Sequence, residues 1–197
     1  CMIAISDAVN VYVRDHLKMT ASRVKTVHYG IDPSPYEGTG ENQRQEVRAS
    51  WGIPSDAWVI GTVARLVPQK SLHVLLTAYA RYRALARQDS RLVLVGRGPL
   101  EEELRDLSRQ LGLENEIIWA GFREDIPAVM CAFDAFVLTS SYEGFGLVLL
   151  EAMAVTLPAQ VKQRSFLRRR TGSSDLPPPM IQSTLHQHLP QPQEHLH

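Results

Sequence analysis

The sequence predicts an α/β fold in which helices cover a parallel β-sheet, and three observations lead to this prediction. Of the 197 residues, 44% are hydrophobic, which is enough to bury a core. Residues 45–154 alternate short apolar runs with longer amphipathic segments at helical spacing. The run 58–63 is apolar throughout, as in a strand buried on both faces. This β-α-β-α order favours a Rossmann-like sheet with right-handed crossovers.

The predicted elements follow in order along the chain. In residues 1–44 they are a strand at 3–5, a helix at 7–19, a strand at 24–28 and then a polar stretch. In residues 45–154 strands are predicted at 58–63, 92–95, 117–120 and 135–138, and helices at 71–87, 100–111, 126–133 and 146–154. Ser71 is the expected N-cap of the first of these helices, and Gly112 is expected to end the second.

Residues 155–197 differ in composition from the rest of the chain. Proline, glutamine and histidine become frequent, and three consecutive prolines at 177–179 exclude regular structure there. No periodic segment is long enough to form a helix or strand, so disorder is predicted. The chain therefore divides into residues 1–44, 45–154 and 155–197.

Composition and charge exclude several classes of function. Lys+Arg and Asp+Glu both number 21, so no overall field attracts nucleic acid, and no nucleic-acid partner is expected. The two cysteines, Cys1 and Cys131, form neither a disulfide framework nor a CxxC pair, which favours the reducing cytoplasm. No metal-ligand cluster and no membrane-spanning stretch is visible. The sequence predicts neither a metal nor a cofactor.

The most informative motif joins the strand 135–138 to the helix that follows it. Glu143 precedes a Gly-Phe-Gly turn, and Glu151 lies within the helix. Glycines let a backbone approach a ligand closely, and the free amides of a helix N-terminus attract phosphate. The alternative is a glycine-containing turn with two solvated glutamates. The residues of the turn and the first helical turn are Gly144, Phe145, Gly146 and Leu147.

Two further motifs follow other strands. Arg65 and Lys70, after the strand 58–63, can face a diphosphate, although a solvated loop is the alternative. Gly96 and Gly98, after the strand 92–95, either line a ligand or form a tight turn before a helix. A dinucleotide-binding GxGxxG motif would require a third glycine at position 101, where this chain has Glu101. Such a motif would also follow the first strand of the sheet, whereas this one follows the second. The sequence therefore does not favour a dehydrogenase.

In this order and spacing, the three motifs resemble the carboxyl-terminal domain of the family 4, or group 1, glycosyltransferases of the GT-B fold. The resemblance covers residues 1–154, and its most specific part is Glu143 and Glu151 separated by seven residues that include Gly-Phe-Gly. Residues 1–44 resemble the end of the acceptor domain and the crossing between domains. Two positions depart from the family pattern, Tyr29 in place of asparagine and Ser71 in place of glycine.

The resemblance implies roles for these residues. Arg65 and Lys70 would hold the diphosphate of a nucleotide-sugar donor, and Glu143 would lie beside the sugar. Glu151 would bind the ribose hydroxyls. The remaining residues of the implied donor site are the turn amides of Phe145, Gly146 and Leu147, the glycines Gly96, Gly98 and Gly144, and, beside the base, Gly121 and Phe122.

The implied reaction is transfer of a sugar from the nucleotide donor to a hydroxyl of a glycan, lipid or small-molecule acceptor, with retained anomeric configuration. The cations and helix amides would stabilise the leaving diphosphate without a metal. The alternative is a nucleotide-binding module that catalyses no transfer. Relatives that modify lipids attach to the inner face of the membrane through the acceptor domain, which is the source of any membrane contact expected here.

The family pattern stops at Ala154, where a fifth strand should follow, and a frameshift or a truncation would explain this. The strand 135–138 is therefore expected to form an exposed apolar edge, with poor solubility or oligomerisation as the result. Because nearly all of the acceptor domain is missing, the isolated chain is expected to bind donor without turnover.

Overall fold

The computed structural model describes residues 1–86, 88–155, 157 and 159–161. Residues 159–161 are described by their backbone alone. All of the described residues belong to one compact unit, residues 1–165, and residues 166–197 lie outside the described residues. The strands are β1 Met2–Ala4, β2 Val24–Thr26, β3 Trp58–Val63, β4 Ser90–Val95, β5 Ile117–Gly121, β6 Ala135–Leu138 and β7 Ala159–Val161. The helices are α1 Asp7–His16, α2 Glu41–Ser50, α3 Leu72–Leu85, α4 Glu101–Gln110, α5 Ile126–Cys131 and α6 Leu147–Ala154.

The main sheet has five parallel strands in the order β5-β4-β3-β6-β7. Strand β3 lies at its centre, paired with β4 on one side and with β6 on the other. The order reverses between β3 and β6, because β4 and β5 extend the sheet one way and β6 and β7 the other. In parallel α/β sheets, ligands bind outside the carboxyl ends of the strands at such a reversal.

The core covers both faces of this sheet, as the apolar strands predict. On one face, Val59 and Val93 pack with Phe133 and Phe136, all of them with no exposed surface. On the other face, the leucines of β4 pack against α3 and α4. Gly61 in β3 leaves room for the Phe133 ring, since a Cβ at that position would stand 2.2 Å from two ring carbons.

A smaller sheet precedes the main one. Strands β1 and β2 are parallel and are joined through α1, and Ala4, Val13 and Val24 form its core. Ser6 caps α1 by accepting a hydrogen bond from the Val9 amide at 3.2 Å. Helix α1 ends at His16, three residues before its predicted end, with the Leu17 amide bonded to the Val13 carbonyl.

Helix α2 is not predicted, and it crosses the predicted boundary between residues 44 and 45. Its sequence is polar, and Val47 is the apolar residue that it buries. Buried charge holds it instead, since Arg44 and Arg48 both pair with Asp134, at 2.5 and 2.6 Å. Arg48 also donates to the Ala132 carbonyl at 2.8 Å. These contacts fix α2 to the segment between α5 and β6.

Strand β7 contradicts the prediction that residues 155–197 form no element. It pairs in parallel with β6, with Phe136 opposite Ala159 and Leu138 opposite Val161. Strand β6 therefore has a neighbour on each side. The prediction that residues 135–138 form an exposed apolar edge, on which the expectation of poor solubility rested, is wrong. The remainder of the predicted disordered segment, from residue 162 onward, lies outside the described residues.

The predicted cap of α3 also needs correction. Ser71 occupies the N-cap position, but its side chain makes no hydrogen bond to the helix amides. Its backbone adopts a left-handed conformation, with φ of 48°, and its hydroxyl lies 2.6 Å from that of Ser141. The side chain therefore links two loops. By contrast, Gly112 follows α4 with φ of 68°, as expected for a glycine that ends a helix.

Candidate donor-binding site

The loop after β3 and the loop after β6 lie side by side, because these two strands are neighbours in the sheet. The first loop carries Arg65 and Lys70, and the second carries Glu143 and the Gly-Phe-Gly turn. The topology therefore brings two of the predicted motifs to the place where the strand order reverses, which is where α/β sheets bind ligands.

Lys70 and Glu143 form a close ion pair across these two loops. The Lys70 ammonium lies 2.5 Å from Oε1 of Glu143, and their side chains are 18% and 15% exposed. The hydroxyl of Ser140, which is 3% exposed, donates to the same carboxylate oxygen at 2.5 Å. The sequence identified both charged residues but not their pairing, nor the part played by Ser140.

Arg65 differs from Lys70 in its surroundings. Its side chain is exposed, and among the described residues its guanidinium has neither an ion-pair partner nor a hydrogen-bond acceptor. An unpaired guanidinium can bind two phosphate oxygens at once through its planar fork. The loop after β3 thus carries one cation that is already neutralised and one that is available.

The Gly-Phe-Gly turn leads directly into α6. Gly146, with φ of 79°, stands at the N-cap position, and the helix begins at Leu147. The Leu149 amide donates to the Gly146 carbonyl at 2.9 Å, whereas the amides that precede it in the turn and at the start of α6 come before the helical hydrogen-bond ladder and can bind an anion. A non-glycine residue at position 146 would be strained in this left-handed conformation.

Residues near the amino terminus contact the same turn, and the sequence did not predict this. The Ser6 hydroxyl donates to the Gly144 carbonyl at 3.0 Å. The Ile5 Cδ1 atom lies 3.2 Å from where a Cβ on Gly144 would stand. The ring of Tyr29 meets that of Phe145 edge to face, with 6.1 Å between centroids. The segment before the main sheet therefore packs against the turn.

The two glycines after β4 are required by packing between loops. A Cβ on Gly96 would stand 2.0 Å from the Ala64 carbonyl oxygen, and one on Gly98 would stand 2.3 Å from the Leu66 carbonyl oxygen. The Leu66 amide donates to the Arg97 carbonyl at 3.1 Å, which holds the loops together. The interpretation as a tight turn therefore suffices for these glycines, and ligand contact remains a prediction.

Gly121 and Phe122 lie at the end of β5, beside the loop after β4. Gly121 has φ of 67°, and its carbonyl accepts a hydrogen bond from the Gly96 amide at 2.7 Å. The Phe122 side chain is 61% exposed, although it is large and apolar. It can therefore offer an aromatic face to a planar base, as the resemblance implies.

Glu151 lies on α6, and its neighbour is another residue that the sequence did not single out. The phenol of Tyr36, in the turn Ser34–Tyr36, bonds to the Glu151 carboxylate. Burial and the negative charge of Glu151 together raise the pKa of Tyr36 from 10 to about 12. Nothing in the sequence marks Tyr36, because its partner is 115 residues further along the chain.

This contact predicts a dependence of stability on alkaline pH. Because the pKa of Tyr36 is higher in the folded state, its contribution to the free energy of unfolding is complete below pH 10. That contribution is lost as the pH rises towards about 12. Urea unfolding of the chain and of Tyr36→Phe from pH 8 to 12 measures this loss. The wild-type chain should lose stability more steeply than the variant above pH 10, and parallel curves would contradict the assignment.

An open cavity of about 330 Å³ lies beside Tyr36. Its walls come from the start of α2, the end of α5 and the end of α6, and they include Tyr36, Arg44 and Cys131. Neither Lys70 nor Glu143 lines it, so it is not the predicted donor site. Within the described residues, no cluster of three or more His, Cys, Asp or Glu could hold a metal, and no helix is long and apolar enough to cross a membrane.

Comparisons with known proteins agree with this arrangement. Residues 43–168 match the family model described as "Glycosyl transferases group 1". EpsF of Bacillus subtilis, which is named as a glycosyltransferase, is 37% identical over 142 residues, covering 71% of this chain and 36% of EpsF. The lipopolysaccharide core biosynthesis glycosyltransferase LpsE of Rhizobium meliloti is 34% identical over 125 residues, covering 64% of this chain and 35% of LpsE.

Among solved structures, HepE of Anabaena in complex with UDP-glucose matches with a TM-score of 0.71 and 30% identity. The match covers 81% of this chain and 43% of HepE. The chain thus spans roughly a third to two fifths of the length of these relatives. The likeness confirms the predicted fold, the Rossmann-like carboxyl-terminal half of a GT-B protein. The family match covers more than half of the chain, which belongs to the group 1 glycosyltransferases.

Proposed function

We propose that this chain is the donor-binding part of a retaining glycosyltransferase that transfers a hexose from a nucleotide sugar to an acceptor hydroxyl. One observation carries the proposal: the Lys70–Glu143 pair, at 2.5 Å, lies where the strand order of the sheet reverses and beside the N-terminus of α6. Cation, carboxylate and helix amides meet there, and these are the groups that a diphosphate attached to a sugar requires.

In this proposal the donor diphosphate binds between the two loops. Arg65 and Lys70 bind its phosphate oxygens, and the amides of Phe145, Gly146 and Leu147 complete the site. As the bond to the sugar breaks, negative charge develops on the leaving diphosphate, and fixed cations and amides stabilise that charge. In this proposal the positive charge for this step comes from the two cations and the helix amides, so no metal or cofactor is invoked.

The remainder of the donor extends along the edge formed by the carboxyl ends of the strands. Glu143 lies beside the sugar, and Glu151 accepts hydrogen bonds from the ribose hydroxyls. The exposed ring of Phe122 stacks on the base next to Gly121. Gly96 and Gly98 bring the loop after β4 close enough to line the site. UDP-glucose in the complex with HepE supports a uridine donor.

The chain spans 43% of the length of HepE, and in this proposal the acceptor, a glycan, lipid or small molecule, binds in the acceptor half of the GT-B fold. The residues described here would then bind donor without turnover. A lipid acceptor would bring the whole enzyme to the inner face of the membrane from the cytoplasm. Release of UDP from UDP-glucose that depends on an added acceptor would contradict the lack of turnover.

Calorimetric titration of the chain with UDP and UDP-glucose tests donor binding. Arg65→Met is expected to weaken UDP binding about 10-fold to 100-fold, because it removes charge-assisted hydrogen bonds to the phosphates without leaving a carboxylate unpaired. Lys70→Met should weaken UDP binding at least as much, because it also leaves the Glu143 carboxylate unpaired beside the diphosphate. Lys25→Met, at an exposed position in β2, is the matched control and should bind UDP as the wild-type chain does. Equal affinity in all four proteins would refute the proposal.

A further inference from the structure

The two loops of the candidate site are joined by several direct hydrogen bonds. The Thr139 hydroxyl donates to the Lys70 carbonyl at 2.9 Å, and the Ser141 amide donates to the Gln69 carbonyl at 2.8 Å. The Gln69 side chain donates to the Tyr142 carbonyl at 3.0 Å. These bonds connect the residues around Lys70 to those that precede Glu143, so the loops are held as one unit.

Ser71 adds a side-chain bond to this unit. Only Lys18 and Ser71, among the described residues other than glycine, have a positive φ. That conformation is unfavourable for a residue with a Cβ, and glycine is its usual occupant. The Ser71 hydroxyl lies 2.6 Å from the Ser141 hydroxyl and 3.5 Å from the Pro68 carbonyl oxygen. A serine here gains a bond across the loops that a glycine could not make.

We infer that Ser71 and Ser141 are positioning residues, whose hydroxyl-to-hydroxyl bond holds Lys70 in place for the donor diphosphate. This inference rests on the proposed function. Ser71 follows Lys70 directly, and Ser141 precedes Glu143 by two residues. The bond therefore joins the two loop segments that carry Lys70 and Glu143. Without it, the loops keep their other hydrogen bonds, but the backbone at Ser71 loses its side-chain link to the opposite loop, and the neighbouring ammonium meets a diphosphate with poorer geometry.

A ratio of affinities separates this role from a contribution to folding. UMP and UDP share the base, the ribose and the first phosphate, so the ratio of the Kd for UMP to the Kd for UDP reports the contacts made to the second phosphate. A bond that only stabilises the fold changes the unfolding midpoint and leaves this ratio unchanged. Both quantities can be measured on the full chain, by calorimetry and by thermal unfolding.

Ser141→Ala and Ser71→Gly each remove the bond, and each is expected to lower the ratio about fivefold to tenfold. The double variant should have the same ratio as either single variant, because one substitution already breaks the bond. Ser141→Thr keeps a hydroxyl at this position and should retain the wild-type ratio. Ser71→Gly also relieves the backbone strain, so its unfolding midpoint should be no lower than that of Ser141→Ala.

A wild-type ratio in Ser141→Ala would overturn the inference, whatever happens to the unfolding midpoint. A double variant with a much lower ratio than either single variant would also overturn it, since the two hydroxyls would then act separately. Both results leave the proposed function intact. A wild-type chain that binds neither UDP nor UMP would refute the proposed uridine donor, and this inference with it.

Discussion

Replacing Asp134 with alanine is expected to lower the free energy of unfolding by about 3 to 5 kcal/mol. Its carboxylate pairs with Arg44 at 2.5 Å and with Arg48 at 2.6 Å, and it accepts the Val59 amide at 2.7 Å. Arg48 is only 5% exposed, so the substitution would leave a buried guanidinium without its countercharge. Such a charge is far more costly than the loss of a surface ion pair.

Urea unfolding followed by circular dichroism measures this loss. Asp106→Ala is the matched control, because Asp106 pairs with Arg109 on the surface of α4 and both side chains are 57% exposed. The control should stay within about 0.5 kcal/mol of the wild-type chain. Similar stabilities for the two variants would show that the buried network does not hold α2 in place.

Gly96→Ala is expected to lower the free energy of unfolding by about 2 to 5 kcal/mol, because it combines backbone strain with overpacking. The backbone at this position has φ of 135°, which L-residues rarely adopt. The new Cβ would also stand 2.0 Å from the Ala64 carbonyl oxygen, so the loops after β3 and β4 would have to separate. A carbonyl of the backbone cannot turn aside as a flexible side chain can.

Gly112→Ala separates the two causes, because Gly112 has φ of 68° but open space around the position of a Cβ. This control should lose only about 1 to 2 kcal/mol from the left-handed conformation. Thermal unfolding of both variants gives the comparison. If Gly96→Ala lost no more stability than Gly112→Ala, the close approach of the two loops would be unimportant.

The strands of the main sheet were largely predictable, because their cause is local. Strands β3 and β6 have the predicted bounds, since each is a short, mainly apolar run with a polar residue within two positions of its end. Helix α2 and strand β7 were not predictable, because their causes are distant in sequence. Arg48 lies 86 residues before Asp134, and the three residues of β7 are ordered by pairing with β6. Periodicity carries no information about either contact.

The candidate site shows the same division. The sequence placed Arg65, Lys70 and Glu143 after strands, because polar residues that follow an apolar run are visible in a single chain. The ion pair between Lys70 and Glu143 depends on which loops become neighbours and on how each side chain turns. The bond from Tyr36 to Glu151 likewise depends on tertiary packing. No local pattern specifies such contacts.

The order of strands in the main sheet has a consequence for how the chain folds during synthesis. Strand β3 pairs first with β4, but its other neighbour comes much later, since Ile60 lies opposite Ala135. While the intervening residues emerge from the ribosome, the central strand has an open, apolar edge on one side. Contacts of such large sequence separation form slowly, and unpaired edges can associate with other chains. The exposure of this edge of β3 therefore lasts until residue 138 has emerged and β6 pairs with β3.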